Sequence, residues 1–377
     1  MKHGSQFLAQ NALPSAAERE MLSLVHGAEK ISKAEIVKRS SFSQTHVYLL
    51  LDGLVERGYL QFLPGEIKGK GKPSPRVALD LERLATVGLS FTADAVRIAV
   101  LDLAGERLIE RPLMVQPNEP EVVRAAVAAE LVNVANELPR RELIGLGIAM
   151  QGFRMGQADQ FRTPPDLAAW RDYALHDFFR DLSPTAIIAE NNATSAAIAE
   201  QLVGAGKDDR CLAYLSFNVG FGAGFVWNRK AVFGGHGNAG EISHMYPPEE
   251  MHLRPALGEL LKHLNKNGVQ VNDLNELATR FDPHWPCLQD WIGQVTPSLK
   301  TAIRAIKALI DPNAIYFGGD APEGLRKMLI EAADISDLRY ETPDPELKMS
   351  ALVGDSAHIG AALLPMHQLL LDGQMES

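Results

Sequence analysis

The sequence predicts an α/β protein in two parts: a small N-terminal module of three helices and a β-ribbon, and a larger two-lobed α/β body. With 377 residues, the chain is too long for one ordinary hydrophobic core. From about residue 83, strand and helix patterns alternate, and the second half of the body repeats the succession of patterns seen in the first. The balance of basic and acidic residues also changes near this point, from mildly basic to acidic. Of 37 Lys and Arg and 47 Asp and Glu, residues 1–80 carry 11 and 8, which leaves 26 and 39 for the body.

The composition is that of an ordinary soluble globular protein, with 46% hydrophobic and 22% charged residues. Cys211 and Cys287 lie far apart in the sequence, so we expect no disulfide framework and a reducing compartment. No apolar run reaches the roughly 18 residues of a membrane helix, and the first 15 residues contain no apolar stretch of signal-peptide length. The sequence therefore predicts a cytoplasmic protein that does not bind membranes.

The first eighty residues contain three helical patterns in close succession. The first covers residues 15–26 and has its apolar side chains on one face. The second begins at Ser32, which can form a capping box with Glu35, and the third begins after Ser43, a natural N-cap. Two strand-like runs, YLQFL and RVALD, then flank the basic, glycine-rich stretch PGEIKGKGKPSP. This order is typical of a winged helix-turn-helix.

The third helix and the wing predict binding of double-stranded DNA by residues 1–81. Side chains at the start of the helix can reach base edges in the major groove: Ser43, Gln44, Thr45, His46 and Tyr48. The wing tip offers cations for phosphates: Lys68, Lys70 and Lys72. The alternative is a solvated lysine loop on a small helical dimerisation module.

The body divides into a first lobe over residues 82–202 and a second lobe over residues 203–354. A closing helix within residues 355–377 is predicted to pack back on the first lobe. The first lobe begins with a three-stranded meander and continues with helix, strand, helix and strand, the second of these helices being predicted over residues 166–182. This succession resembles an actin-like or sugar-kinase-like ATPase fold, of the ribonuclease H-like type.

Five motifs in order carry a closer resemblance: GIAMQGF, TPPDLAAW, ENNATSAAIAE, the glycine-rich turn followed by AGEISHM, and AIYFGGD. Together they resemble the ROK family (repressors, open reading frames, kinases) over essentially the whole chain, in the domain order of its sugar-responsive repressors. The resemblance implies a sugar-like ligand held by seven residues: Asn191, Asn192, Glu241 and His244, with Gly152, Asp166 and Glu259 close by. Amides, carboxylates and an imidazole suit vicinal hydroxyls, which need both donors and acceptors.

Simpler interpretations exist for several of these residues. Glu241 and His244 could belong to a hydrogen-bonded loop that merely closes a turn, and Asn191 could be a helix N-cap. Capping and ligand binding can coexist in one asparagine.

Three departures from the family pattern predict that the chain is not a kinase. Asn192 occupies the position of the aspartate that acts as general base in the enzymes, and an amide cannot accept a proton at neutral pH. Ser90 replaces the acid of the first phosphate turn, and Asn218-Val219-Gly220 replaces Gly-Thr-Gly in the second. We therefore expect neither catalysis nor ATP as a cofactor.

A fourth departure concerns zinc. Most family members place a cysteine-rich knuckle after the histidine that corresponds to His244, whereas residues 245–263 contain no cysteine. His252 and His263 are isolated, and structural zinc prefers four ligands, mainly thiolates. We therefore expect no metal. The missing knuckle also leaves the position of Glu259 dependent on where the deletion is placed.

Taken together, the sequence predicts a DNA-binding transcriptional regulator, a repressor, that senses a sugar or sugar derivative and acts as a homodimer or higher homo-oligomer. One alternative is a regulator whose effector is not a sugar or which is controlled by a protein partner. The other is a working sugar kinase with an appended DNA-binding module.

Overall fold

The computed structural model describes residues 7–28, 30–64, 75–156, 159–333 and 343–371. They form an N-terminal domain and two α/β lobes. The predicted wing-tip residues lie outside the described part of the chain: Lys68, Lys70 and Lys72.

The N-terminal domain has three helices and a three-stranded antiparallel sheet. In chain order its elements are α1 (Ala16–His26), β1 (Ile31–Ser32), α2 (Lys33–Arg39), α3 (Gln44–Glu56), β2 (Leu60–Leu63) and β3 (Arg76–Leu79). Ser15 and Ser32 each form a capping box, and the Ser43 hydroxyl accepts a hydrogen bond from the His46 N–H. The strand order is β1-β3-β2. The winged helix-turn-helix predicted from the sequence is therefore confirmed.

The first lobe is built on a five-stranded sheet in the order β10-β7-β4-β5-β6. Its elements are β4 (Leu84–Phe91), β5 (Val96–Leu101), β6 (Arg107–Leu113), α4 (Pro120–Glu137), β7 (Glu142–Met150), β8 (Phe153–Arg154), β9 (Phe161–Arg162), α5 (Leu175–Phe179), β10 (Ile187–Asn191) and α6 (Asn192–Leu202). Strands β4, β5 and β6 form an antiparallel meander, and β7 and β10 run parallel to β4.

The second lobe repeats this topology. Its elements are β11 (Cys211–Phe217), β12 (Phe221–Trp227), β13 (Lys230–Ala231), α7 (Leu257–Lys266), α8 (Leu274–Arg280), α9 (Leu288–Ile310), β14 (Ala314–Gly318), α10 (Glu323–Ala332) and β15 (Glu346–Met349). The sheet order is β13-β12-β11-β14-β15, again with an antiparallel meander and two parallel strands. The duplicated α/β fold predicted from the sequence is confirmed.

Two helices pack between the sheets. The closing helix α11 (Ala357–Leu370) lies on β4 and β7 of the first sheet, whereas α6 lies on β11 and β12 of the second, and the two helices pack against each other. All of α6 is buried, in keeping with its many alanines, and its long polar residues Glu200 and Gln201 are hydrogen-bonded inside the protein. At the crossing, a Cβ on Gly360 would lie 1.7 Å from the Ser195 carbonyl oxygen, so the helices approach backbone to backbone.

The single helix predicted over residues 166–182 is wrong. The structure has a 3₁₀ helix at Pro165–Trp170 and the short α5 instead. Polar bonds from neighbouring loops hold this segment: the Trp170 Nε1–H donates to the Pro117 carbonyl at 2.6 Å, and the Ala169 N–H donates to Asn118 Oδ1 at 2.9 Å. The Asn118 bond takes a backbone N–H that a continuous helix would use for its i→i−4 bond, and the Trp170 bond fixes the side chain against the loop of Pro117.

Across the described ranges, no helix combines the length and the apolar character needed to cross a membrane.

Candidate functional site

A cavity of about 340 Å³ lies between the two lobes, where β7, β10 and β11 end. We call it the interlobe cavity. Carboxyl ends of parallel strands are a common place for ligands in α/β sheets, since strands diverge there and backbone groups become free. Five of the seven predicted effector-binding residues line it: Gly152, Asn191, Asn192, Glu241 and His244.

Asn191 joins the two lobes at the wall of the cavity. It is the N-cap of α6, with its Oδ1 accepting from the Ala193 N–H at 2.7 Å. Its Nδ2 donates to the Gly152 carbonyl at 2.5 Å and lies 3.3 Å from Glu241 Oε1 in the second lobe. Helix capping and a position in the cavity wall therefore coexist in this residue.

Gly152 could not carry a side chain here. Its φ is +133°, and a Cβ would lie 2.6 Å from the Arg162 carbonyl oxygen. The glycine thus lets the chain after β7 approach β9 closely while its own carbonyl holds Asn191.

Asn192 is 5% exposed and lines the cavity. Its Nδ2 donates to the Phe91 carbonyl at 3.1 Å, whereas its Oδ1 is buried and has no hydrogen-bond partner in the described part of the chain. A buried amide oxygen of this kind can accept a hydrogen bond from a ligand hydroxyl. It cannot take the proton of that hydroxyl at neutral pH.

Glu241 and His244 face the cavity from the second lobe. Burial raises the pKa of Glu241 to about 7, so near neutral pH its carboxyl group is present both as donor and as acceptor. His244 is exposed and meets the ring of Phe153 edge to face, with 5.4 Å between ring centroids. Its imidazole is therefore accessible to a ligand from solvent.

The structure does not bring the other two predicted residues to the cavity wall. Asp166 is exposed in the first turn of the 3₁₀ helix at Pro165–Trp170. Glu259 lies in the first turn of α7, where its Oε1 accepts from Lys262 Nζ at 2.9 Å.

Polar residues that were not predicted as effector-binding also line the cavity, among them Gln151, Arg162, Arg171, Ser243 and Arg254. The arginines flank the motifs TPPDLAAW and AGEISHM without belonging to them. Only their nearness in sequence to those motifs could have indicated them.

On the side of the cleft where the phosphate turns of the kinases would lie, the polar groups of Ser90 and Asn218 differ in their surroundings. The Ser90 hydroxyl is fully buried and has no hydrogen-bond partner among the residues that the structure describes. Asn218 Oδ1 accepts from the Asp320 N–H at 2.7 Å, and its Nδ2 donates to Ser216 Oγ at 3.1 Å. Arg97 of the first lobe pairs with Asp320 of the second at 3.6 Å. An arginine thus bridges the lobes on this side.

The residues around His244 do not fit a structural zinc ion. Both cysteines are buried and free, and the nearby His263 places its Nε2 3.0 Å from the Cys287 carbonyl oxygen. Within the described ranges, no group of three or more His, Cys, Asp or Glu side chains could hold a metal ion. Structural zinc sites need four such ligands.

The start of α3 forms a polar surface on the N-terminal domain. Gln44, Thr45 and His46 are exposed, as is the N-cap Ser43. Gln44 Nε2 donates to the Tyr48 hydroxyl at 3.3 Å, and Lys33 Nζ lies 5.1 Å from the centre of the Tyr48 ring. Gln44 and Tyr48 therefore contact each other, and Ser43, Thr45 and His46 are accessible around the start of the helix.

Among curated relatives, the chain is 25% identical to the uncharacterized protein y4fQ of Sinorhizobium fredii, over 95% of this chain and 93% of that protein. It is 25% identical to the xylose repressor of Bacillus spizizenii over 57% of this chain, so the match spans only about half (56%) of that repressor. It is 27% identical to the glucokinase of Halalkalibacterium halodurans, over 75% of this chain and 95% of the kinase.

Solved structures show the same fold. A ROK family transcriptional regulator described as a homolog of E. coli MLC protein superposes with a TM-score of 0.74 at 18% identity, over 94% of this chain and 97% of that chain. The ROK hexokinase of Thermus thermophilus gives 0.60 at 23% identity, over 74% and 97%. The model of the ROK family itself matches residues 86–367. The chain therefore belongs to the ROK family.

Proposed function

We propose that the protein is a DNA-binding transcriptional regulator, a repressor, that senses a sugar or sugar derivative without phosphorylating it. The observation that carries this proposal is that one chain combines two features. An accessible polar helix start lies on the N-terminal domain, and the body holds a polar cavity in which Asn192 takes the place of a general base.

The relatives support the regulatory half of this proposal. They include repressors, and the structural neighbour that spans the N-terminal domain as well as the body is a regulator. Winged-helix regulators commonly bind pseudo-palindromic sites as symmetric dimers, so the protein acts on DNA in the cytoplasm as at least a homodimer.

Closure of the lobes around the effector changes the relative position of the two DNA-binding domains. The ligand can drive this change only through its different affinities for the two states.

The cavity supports recognition without turnover. Loss of a general base alone typically costs about 10²–10⁴-fold in rate. Here Ser90 and Asn218 also depart from the kinase pattern, and Arg97 bridges the lobes on the phosphate side. The protein requires neither ATP nor zinc for its function. Two rival hypotheses remain. One is an active sugar kinase, because kinases are among the relatives. The other is a regulator with a non-sugar effector or a protein partner.

A thermal-shift panel on the full chain separates these hypotheses. A ligand that binds only the folded state raises stability by RT ln(1 + [L]/Kd), which is about 2.7 kcal/mol at 100 times Kd. We expect a member of a sugar panel to raise Tm and ATP to leave it unchanged. A shift with ATP alone would favour the kinase. No shift with any sugar would favour a different effector or a protein partner.

The DNA half is tested by replacing Gln44 and Tyr48 with alanine. DNA fragments bound by the wild type are selected from genomic DNA, and affinity for them is measured by fluorescence anisotropy. We expect the variant to lose about 1–3 kcal/mol of binding for each specific base contact removed. The control is Gln116→Ala, which removes an exposed glutamine from the body and leaves affinity unchanged. Equal affinity of the Gln44 and Tyr48 variant would show that α3 does not read DNA.

A further inference from the structure

We propose that the effector of the interlobe cavity carries an anionic group, a phosphate ester or a carboxylate, held by Arg171 and Arg254 with Arg162 beside them. This inference rests on the proposed function, since it names the chemical class of the ligand that the same cavity binds.

The charge of the cavity wall is opposite to that of the chain. The whole protein has a formal net charge of −10. The lining residues include three arginines, His244 and a single carboxyl group, that of Glu241. Burial raises the pKa of Glu241 to about 7, so this carboxyl does not fully neutralise even one arginine near neutral pH. A wall of this composition attracts anions.

The three arginines also lack protein counter-ions. No carboxylate of the described ranges lies within ion-pair distance of Arg162, Arg171 or Arg254, although other arginines of the chain are paired, such as Arg124 with Asp181 at 3.1 Å. Glu259, the acid that acts on Arg254 through its charge, is bonded to Lys262 instead. Arg162 and Arg171 are exposed and Arg254 is partly buried, so the missing counter-ion matters most at Arg254.

Two of these guanidinium groups are held in fixed orientations. Arg171 donates from Nε and Nη2 to the Thr163 carbonyl at 3.0 and 2.7 Å. Arg254 donates from Nε to the Met251 carbonyl at 2.7 Å and from Nη1 to Ser243 Oγ at 3.0 Å. Each guanidinium has five N–H donors, so each keeps donors available for a ligand. Oriented guanidinium groups bind phosphate and carboxylate oxygens in a bidentate manner, at little further cost in side-chain entropy.

Arg254 adds an energetic argument. It is partly buried, and burial lowers its pKa because the charged form loses hydration. A half-buried cation without an ion-pair partner is unfavourable. An anionic ligand would compensate that charge when it binds, so part of its binding energy would come from this interaction.

The test compares neutral and anionic forms of the same sugars on the full chain by isothermal titration calorimetry. Each hexose of the panel is used as the free sugar, as the 6-phosphate and as the uronate, and inorganic phosphate is added as a probe without a sugar. We expect one anionic form to bind at least about tenfold more tightly than its neutral parent, with an affinity that falls as salt is raised. The phosphate and uronate arms show which anion the arginines select.

Variants connect the effect to the arginines. Arg254→Gln should weaken the anionic form by about 10–100-fold, the range expected for loss of a charge-assisted hydrogen bond, and by a clearly larger factor than it weakens the neutral parent. Arg171→Gln provides a second variant in case Arg254→Gln lowers the unfolding temperature too far for calorimetry. Arg180→Gln is the control, because Arg180 is an exposed arginine outside the cavity wall.

The outcomes distinguish this inference from the proposed function. If a neutral sugar binds as tightly as its anionic forms, or if Arg254→Gln weakens both equally, the anionic class is wrong while the sugar sensor stands. If inorganic phosphate binds as tightly as the sugar phosphate, the cavity does not recognise the sugar and the inference fails as stated. If no sugar of any charge binds, the proposed function fails and this inference with it.

Discussion

Asn192 faces the cavity with an amide whose two ends have different surroundings. Its Nδ2 is bonded to the Phe91 carbonyl of the first lobe, and its Oδ1 points to a buried position without a protein partner. An aspartate at this position would still offer an oxygen that can accept a hydrogen bond from a ligand. It would have no N–H to donate to the Phe91 carbonyl. The same residue therefore controls both the chemistry of the cavity and the local stability.

Asn192→Asp should not create a kinase, because Ser90 and Asn218 still depart from the phosphate-binding pattern. In a coupled ATP–sugar assay we expect turnover below about 1 s⁻¹, the low end for ordinary enzymes. The variant should also lose about 0.5–1.5 kcal/mol of unfolding free energy in urea, because it removes the Asn192 hydrogen bond to the Phe91 carbonyl, which keeps the Gln151 N–H as its other donor.

Asn118→Asp is the matched control for the stability effect. Asn118 is exposed and uses its Oδ1 to accept from the Ala169 N–H, an interaction that aspartate preserves. Its unfolding free energy should stay within about 0.5 kcal/mol of the wild type. Phosphorylation of a sugar by Asn192→Asp at ordinary rates would show that the base was the only missing part of a kinase.

At the scale of elements, the sequence predicted what local patterns determine. The helices of the N-terminal domain begin at Ser15, Ser32 and Ser43, as their capping residues indicate. The strands of both meanders follow from apolar runs between turns. The segment 166–182 was mispredicted because bonds from the distant residues Pro117 and Asn118 decide its conformation. Local spacing contains no information about such partners.

The same limit applies to the cavity. Motif positions identified Asn191, Asn192 and Glu241, which all line the cavity, although 50 residues separate Asn191 from Glu241 in the sequence. Arg171 and Arg254 were missed because an arginine becomes part of a site through tertiary contacts alone. An unpaired, oriented guanidinium can be recognised only when its neighbours in space are known.

The crossing of α6 and α11 gives a prediction for Gly360. Gly360→Ala should be clearly destabilising, by about 1–3 kcal/mol or more, because a Cβ would overlap the Ser195 carbonyl and that backbone cannot move aside freely. Gly53→Ala is the control within α3, where a Cβ meets nothing within 4 Å. It should stabilise its helix by about 0.4–1 kcal/mol. Thermal and urea unfolding of both variants measure the two effects, and a neutral Gly360→Ala would mean that the helices are not so closely packed.

At the scale of the whole molecule, polar contacts connect the three parts. Asn238 of the second lobe bonds to the backbone of Arg154 in the first, through the N–H at 2.7 Å and the carbonyl at 3.0 Å. The N-terminal domain meets the body where α1 packs against α11, and the rings of His26 and His367 lie there with 5.9 Å between centroids. Helix α11 thus contacts both α1 of the N-terminal domain and α6, whose N-cap Asn191 lines the cavity.

The contact between His26 and His367 predicts a pH dependence. Burial lowers the pKa of His367 to about 3, with smaller contributions from the charges of His26 and Arg229. Its folded-state pKa is thus below the unfolded value of about 6.5, so the unfolded state binds the proton first. The stability associated with the neutral ring is fully present above pH 6.5 and is lost progressively as the pH falls towards 3. At one pKa unit per 1.36 kcal/mol, the loss by pH 5 is on the order of 2 kcal/mol.

His367→Gln isolates this contribution, because glutamine does not titrate while other groups, including the pair of His358 with Glu110, are retained in both proteins. The unfolding free energy of each protein is measured in urea at pH 7 and at pH 5. We expect the wild type to lose on the order of 1–2 kcal/mol more than the variant over this interval. Equal losses would mean that His367 is not held neutral where the N-terminal domain meets the body. A larger loss in the wild type would show that proton binding to His367 opposes folding; if it also opens the contact with α1, the affinity for DNA should change over the same interval in the wild type and less in His367→Gln.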